Sequence, residues 1–144
     1  SEESMAIKFG RNLQEKKQFD YNHNIEFQIE SYLKYQGDKF IDRFDPNSYI
    51  YLTKAISYFD LEKKYGSLEK AFSNTKTNFL IIAIKSDWIY TPEQSKDIVK
   101  TLMKMQKDVT YCELDSPYGH DAFLVDNEKL SLIVTGFLEQ LENV

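Results

Sequence analysis

The sequence predicts an α/β fold in which a helical first half, residues 1–74, precedes a strand–helix–strand–helix unit, residues 75–144, with parallel strands. Three observations carry that reading. Apolar residues of the first half recur at helical spacing. The apolar run Phe79 to Ile84 is continuous and rich in β-branched residues, as a strand buried on both faces should be. The helix, strand and helix patterns after it come at the spacing of a βαβα unit, whose strands are parallel with a right-handed crossover.

In chain order, residues 2–15 are charged and set Met5, Phe9 and Leu13 four apart, one face of a first helix. Residues 26–44 give Phe27, Ile29, Leu33, Phe40, Ile41 and Phe44, close to a 3.6-residue period. Gly37 predicts a break or kink there, since glycine costs a helix up to about 1 kcal/mol relative to alanine. Asp45-Pro46-Asn47 is a turn, and Asn47 or Ser48 can cap a third helix over 48–60. That helix is dense in apolar and aromatic residues, with Ile50, Leu52, Ala55, Ile56 and Phe59 beside Tyr49, Tyr51 and Tyr58. A first strand over 78–85 follows. Thr91-Pro92-Glu93 then supplies an N-cap, a first-turn proline and a first-turn acid for a helix holding Ile98, Val99, Leu102 and Met103. Asp108 to Leu114 is the second strand, and Asp126 can cap a last helix with Leu130, Ile133, Val134, Phe137 and Leu141. Two parallel strands alone make a poor sheet, so the chain reads as part of a larger one.

Composition narrows the function. The formal net charge is −5, from 18 basic and 23 acidic residues, which argues against a nucleic-acid surface. The longest apolar run is six residues, too short to span a membrane, and no signal segment is expected. One cysteine, Cys112, cannot form an internal disulfide and suits a reducing cytoplasm. Two histidines and one cysteine without paired spacing make a metal site improbable, and His23 reads as a loop residue. Neither glycine-rich phosphate loop occurs.

Ligands of open α/β sheets bind beyond the carboxyl ends of the strands. Two polar loops occupy that position, Lys85 to Pro92 with Asp87 and Asp115 to Phe123 with His120. Adjacent parallel strands would set them side by side, where a carboxylate can fix an imidazole's tautomer and stabilise its protonated form. An Asp and then a His after successive late strands match the last two members of a Ser…Asp…His triad; a capping Asp and a structural His are the plainer alternative. The nucleophile elbow Gly-x-Ser-x-Gly is missing, because no two of the five glycines lie four apart, and Ser86 reads as a turn residue.

At these residues the chain resembles the C-terminal part of the homoserine O-acetyltransferase family, acyltransferases of the α/β-hydrolase fold. The resemblance lies in Ser1-Glu2-Glu3-Ser4 with Phe9-Gly10-Arg11, in Phe27 to Leu61, in Ser86 to Ser95 (SDWIYTPEQS) and in Ser116 to Phe123 (SPYGHDAF). It implies that Asp87 and His120 complete a catalytic triad and that Asp121 holds the amino group of L-homoserine. It also implies a helical lid over residues 1–60, helix 48–60 as dimer interface or tunnel lining, and a homodimer in the cytoplasm serving methionine biosynthesis. Acetyl-CoA enters as co-substrate, with no resident cofactor. The family's serine, its oxyanion hole and an arginine for the homoserine carboxylate would lie before Ser1, so the chain alone is expected to be inactive. Related expectations are a succinyl-CoA or serine-acylating relative, and a non-catalytic dimeric interaction module. Because Phe79 to Ile84 has no charge to blunt a strand edge, the chain is also expected to self-associate.

Overall fold

A computed structural model of the chain describes residues 1–14, 19, 21 and 23–142. Glu15, the end of the first predicted helix, and residues 143–144 lie outside the described residues. The chain divides into two compact units, one of residues 61–144 with Ser1 and Glu3, the other of residues 4–60 with Glu2.

The unit of residues 4–60 is helical. Helix α1 (Glu2–Lys8) is shorter than the sequence predicts. Gly10, at φ +52°, takes up the left-handed region that ends it. Leu13 instead pairs with Phe27 in an antiparallel bridge, with Gln14 N–H donating to Glu26 at 2.8 Å and Gln28 N–H to Asn12 at 2.9 Å. Helix α2 (Gln28–Arg43) starts where the Glu30 carboxylate accepts the N–H groups of Phe27 and Glu26, and it runs through Gly37 without a break. A Cβ at Gly37 would meet nothing within 4 Å, so this glycine faces open space and weakens the helix without dividing it. The cap of α3 (Pro46–Tyr58) is Asp45, whose carboxylate accepts Ser48 N–H at 2.8 Å, rather than Asn47 or Ser48; Pro46 fills the first turn. The Phe9 ring lies 4.9 Å from that of Tyr32, tilted by 39°, and Phe40 meets both Phe44 and Tyr49. Much of the apolar surface of α3 stays exposed, notably Tyr51, Leu52, Ile56 and Tyr58.

The unit of residues 61–144 opens with two short helices, α4 (Leu61–Tyr65) and α5 (Leu68–Phe72). Strand β1 (Phe79–Ile84) pairs in parallel with β2 (Val109–Leu114), in register from Phe79 opposite Val109 to Ile84 opposite Leu114. Between them runs α6 (Pro92–Lys104), with Thr91 at its N-cap and Pro92 in its first turn, although the Thr91 side chain makes no capping bond. A single 3₁₀ turn (Gly119–Asp121) and the short α7 (Ala122–Val125) lead into α8 (Asn127–Glu142). Strand alternation explains the layering. Ile82, Ile84 and Leu114 pack with Ile133 of α8 and with Ala122. Glu113, on the opposite face, takes the Lys96 ammonium of α6 at 2.7 Å. Helices therefore cover both faces, and Leu102 of α6 is fully buried. The first four residues of β1 are only half-buried, less than the two-sided burial that the apolar run predicts. Asp126 precedes α8, but its Oδ2 is buried without a hydrogen-bond partner among the described residues, and its N–H closes α7 on the Ala122 carbonyl.

Candidate functional site

The parallel register fixes where the two loops begin. Lys85 N–H donates to Leu114 at 3.0 Å, which extends the ladder one residue past Ile84, so both chains leave the sheet together. Asp87 N–H then turns back to the Ile84 carbonyl at 3.0 Å. This turn points the Asp87 carboxylate inward, and the residue is only 6% exposed. Its two oxygens have separate tasks. Oδ1 accepts the N–H groups of Ile89 at 2.9 Å and Tyr90 at 3.1 Å, while Oδ2 meets His120 Nδ1 at 2.9 Å.

Burial by itself would raise the Asp87 pKa. The bonds from the His120 ring and from Tyr90 and Ile89 N–H outweigh it, and the carboxyl sits below its usual value. An ionised carboxylate only accepts hydrogen bonds, so Nδ1 of His120 is the donor in this pair, which directs the ring's second nitrogen, Nε2, away from Asp87. The imidazole side chain is 38% exposed, open enough to exchange protons with a second molecule.

His120 is held by its own loop as well. It occupies the middle of the 3₁₀ turn, which begins at Gly119 with φ +63°. That left-handed value is costly for any other residue, and a Cβ there would lie 3.1 Å from the Ser1 nitrogen. The Ser1 hydroxyl donates to the neighbouring Pro117 carbonyl. Ser86 lies in a turn, as its sequence position suggests, but does more. Its hydroxyl donates to the Ser116 carbonyl at 2.5 Å and accepts Gly119 N–H at 2.9 Å, linking the Asp87 loop to the His120 loop. Only its place directly before Asp87 hinted at this.

Tyr90 and Phe123 were also illegible as site residues in the sequence; their rings lie 5.2 Å and 5.7 Å from the imidazole. Asp121 is exposed at the end of the 3₁₀ turn, next to His120 in the chain, and its side chain makes no capping bond to α7. A cleft of about 290 Å³ opens beside the pair, walled by Ile82, Ile84, Leu114, Phe123 and Leu130 with Asp87 and His120 among its lining. The arrangement can take a proton at Nε2, stabilise the resulting imidazolium through Asp87, and return the proton. Among the described residues no three His, Cys, Asp or Glu side chains could hold a metal ion, and no helix is long and apolar enough to cross a membrane.

No family profile matches the chain. Individual relatives do. A homoserine O-acetyltransferase of Methanococcus vannielii is 51% identical over 146 residues, covering 100% of this chain and 30% of the relative. That of Methanobrevibacter ruminantium is 49% identical over 140 residues, 97% of this chain and 28% of the relative. A homoserine O-succinyltransferase of Paraburkholderia phymatum is 42% identical over 146 residues, 98% of this chain and 38% of the relative. The chain thus spans about a third of the length of the curated relatives it matches.

Proposed function

Because this chain is homologous over its whole length to part of the homoserine O-acetyltransferases, we propose that it supplies the Asp–His half of an acyltransferase active site. The observation that carries the reading is the 2.9 Å contact between Asp87 Oδ2 and His120 Nδ1, made by loops at the carboxyl ends of adjacent parallel strands. In this reading the two helix-covered strands are the late part of an α/β-hydrolase sheet. The nucleophile is a serine supplied by residues other than these 144, since no elbow motif occurs here.

His120 Nε2 takes the serine proton as the serine oxygen attacks the acetyl-CoA carbonyl, and gives it to the departing coenzyme A sulfur. In the second half it takes the proton of the L-homoserine hydroxyl as that oxygen attacks the acetyl-serine, then returns a proton to the serine. Asp87 keeps the ring in the required tautomer throughout. Asp121 offers a carboxylate for the substrate ammonium, one residue from the base. The exposed apolar side of α3 is the surface proposed to meet a second copy in a homodimer. Acetyl-CoA is a co-substrate, no resident cofactor is needed, and the setting is cytoplasmic methionine biosynthesis.

The test is acetyl transfer from acetyl-CoA to L-homoserine by the longer polypeptide that contains these residues. His120→Ala is expected to lower the rate by at least about 10³-fold; an unchanged rate would overturn the proposal. The 144 residues alone are expected to transfer nothing. A rate that scales with their concentration and vanishes in His120→Ala would reject that part. The succinyltransferase relatives favour one second reading, succinyl-CoA as donor, and offering both thioesters to the same enzyme separates the two.

A further inference from the structure

Tyr90 and Phe123 approach the His120 imidazole from two different segments. Tyr90 follows Asp87 by three residues, and its own N–H donates to Asp87 Oδ1 at 3.1 Å, so the carboxylate that holds the imidazole with Oδ2 also fixes the backbone of Tyr90. From there the Tyr90 ring reaches 5.2 Å from the imidazole at an interplanar angle of 48°. Phe123 comes from α7, three residues past His120, and meets the imidazole edge-on at 5.7 Å and 71°. Tyr90 and Phe123 are 57% and 43% exposed. What they share is the imidazole that each ring approaches.

One hydrogen bond at Nδ1 leaves a ring free to swing about that bond, and a half-open imidazole has room to do so. Contacts from two aromatic rings restrict that freedom. Aromatic pairs at such separations and angles are favourable beyond the area they cover. We propose that Tyr90 and Phe123 are positioning residues, which confine the His120 ring so that the Nδ1–H bond to Asp87 persists and Nε2 keeps one direction. Their action is on the ring's orientation; neither is asked to exchange a proton.

The inference rests on the reading of Asp87 and His120 as the acid–base pair, and the experiment separates the two. The longer polypeptide that contains these residues, with ¹⁵N-labelled histidine, is observed by NMR for the His120 Nδ1–H proton and its exchange with water. Wild type is expected to show this proton and a single Nδ1–H tautomer. Tyr90→Leu and Phe123→Leu should each speed its exchange about 2- to 10-fold, the range that loss of one aromatic contact predicts. Tyr90→Phe and Phe123→Tyr, which keep the rings, should restore the wild-type rate. The backbone amide spectrum of each variant reports whether the fold persists. Exchange in both Leu variants that equals wild type overturns the proposal, and so does faster exchange in the ring-preserving variants. Asp87→Asn is the control for the underlying pair: if the proton has the same shift and exchange with or without Asp87, the pair itself is rejected.

Discussion

The Ser86 hydroxyl accepts Gly119 N–H at 2.9 Å and so sets the spacing of the two loops that carry Asp87 and His120. It also donates to the Ser116 carbonyl at 2.5 Å, which uses both its donor and an acceptor position within one crossing. Ser86→Ala leaves that N–H and that carbonyl without their partner in a half-buried site. The expected loss is about 1–3 kcal/mol of unfolding free energy. Urea unfolding of the two proteins side by side measures it, and no loss would show that water satisfies both groups.

The division of labour in the Asp87 carboxylate makes Asp87→Asn informative. The amide oxygen can still accept Ile89 and Tyr90 N–H, but the amide nitrogen then faces His120 Nδ1 and demands that it accept. The proton moves to Nε2, the atom that must be basic in the proposed reaction. In the longer polypeptide kcat should fall about 10⁴-fold, with the fold of the site retained. A fall of less than about 10-fold, read from steady-state rates, would show that the tautomer does not limit the reaction.

Gly119→Ala tests the 3₁₀ turn. Its φ of +63° is available to glycine without cost and costs an L-residue about 1–2 kcal/mol. The added methyl also comes to 3.1 Å from the Ser1 nitrogen, close enough that one of them must shift. The expected outcome is a lower Tm together with a perturbed His120 ring resonance, because His120 is the next residue in the same turn. Thermal unfolding and the histidine ring spectrum check the two halves of the prediction.

Most of this arrangement was legible in the sequence for reasons that are local. The apolar run Phe79 to Ile84 and the Thr91-Pro92 start of α6 are short-range signals, and parallel pairing follows from the helix between two strands. The loops with Asp87 and His120 then had to emerge side by side. The unread parts depend on long-range geometry. Ser86 and Gly119 are 33 residues apart, and no local pattern announces a hydrogen bond between them. Tyr90 and Phe123 look like ordinary loop and helix aromatics until the fold sets both beside one ring. Within the first half, the Met5, Phe9, Leu13 spacing ran past Gly10, where the need for a left-handed turn overrode the helical period. Gly37 erred the other way: its cost of about 1 kcal/mol is too small to divide a helix of 16 residues.

The pH response of the fold follows from the lowered pKa of Asp87. Burial pushes that pKa up, but hydrogen bonds from His120, Tyr90 and Ile89 push it down further, so the folded state holds the proton less tightly than the unfolded chain. For a depressed carboxylate the stabilisation is present above the unfolded pKa, about 3.9 for aspartate, and is lost as pH falls through the folded value. Wild type and Asp87→Asn unfolded in urea over a pH series isolate this contribution, because the asparagine cannot ionise. The stability difference between them is expected to shrink as the pH drops from about 4 toward 2. A difference that grew over this window would mean that the folded state binds the Asp87 proton more tightly than the unfolded chain. Desolvation would then outweigh the three hydrogen bonds.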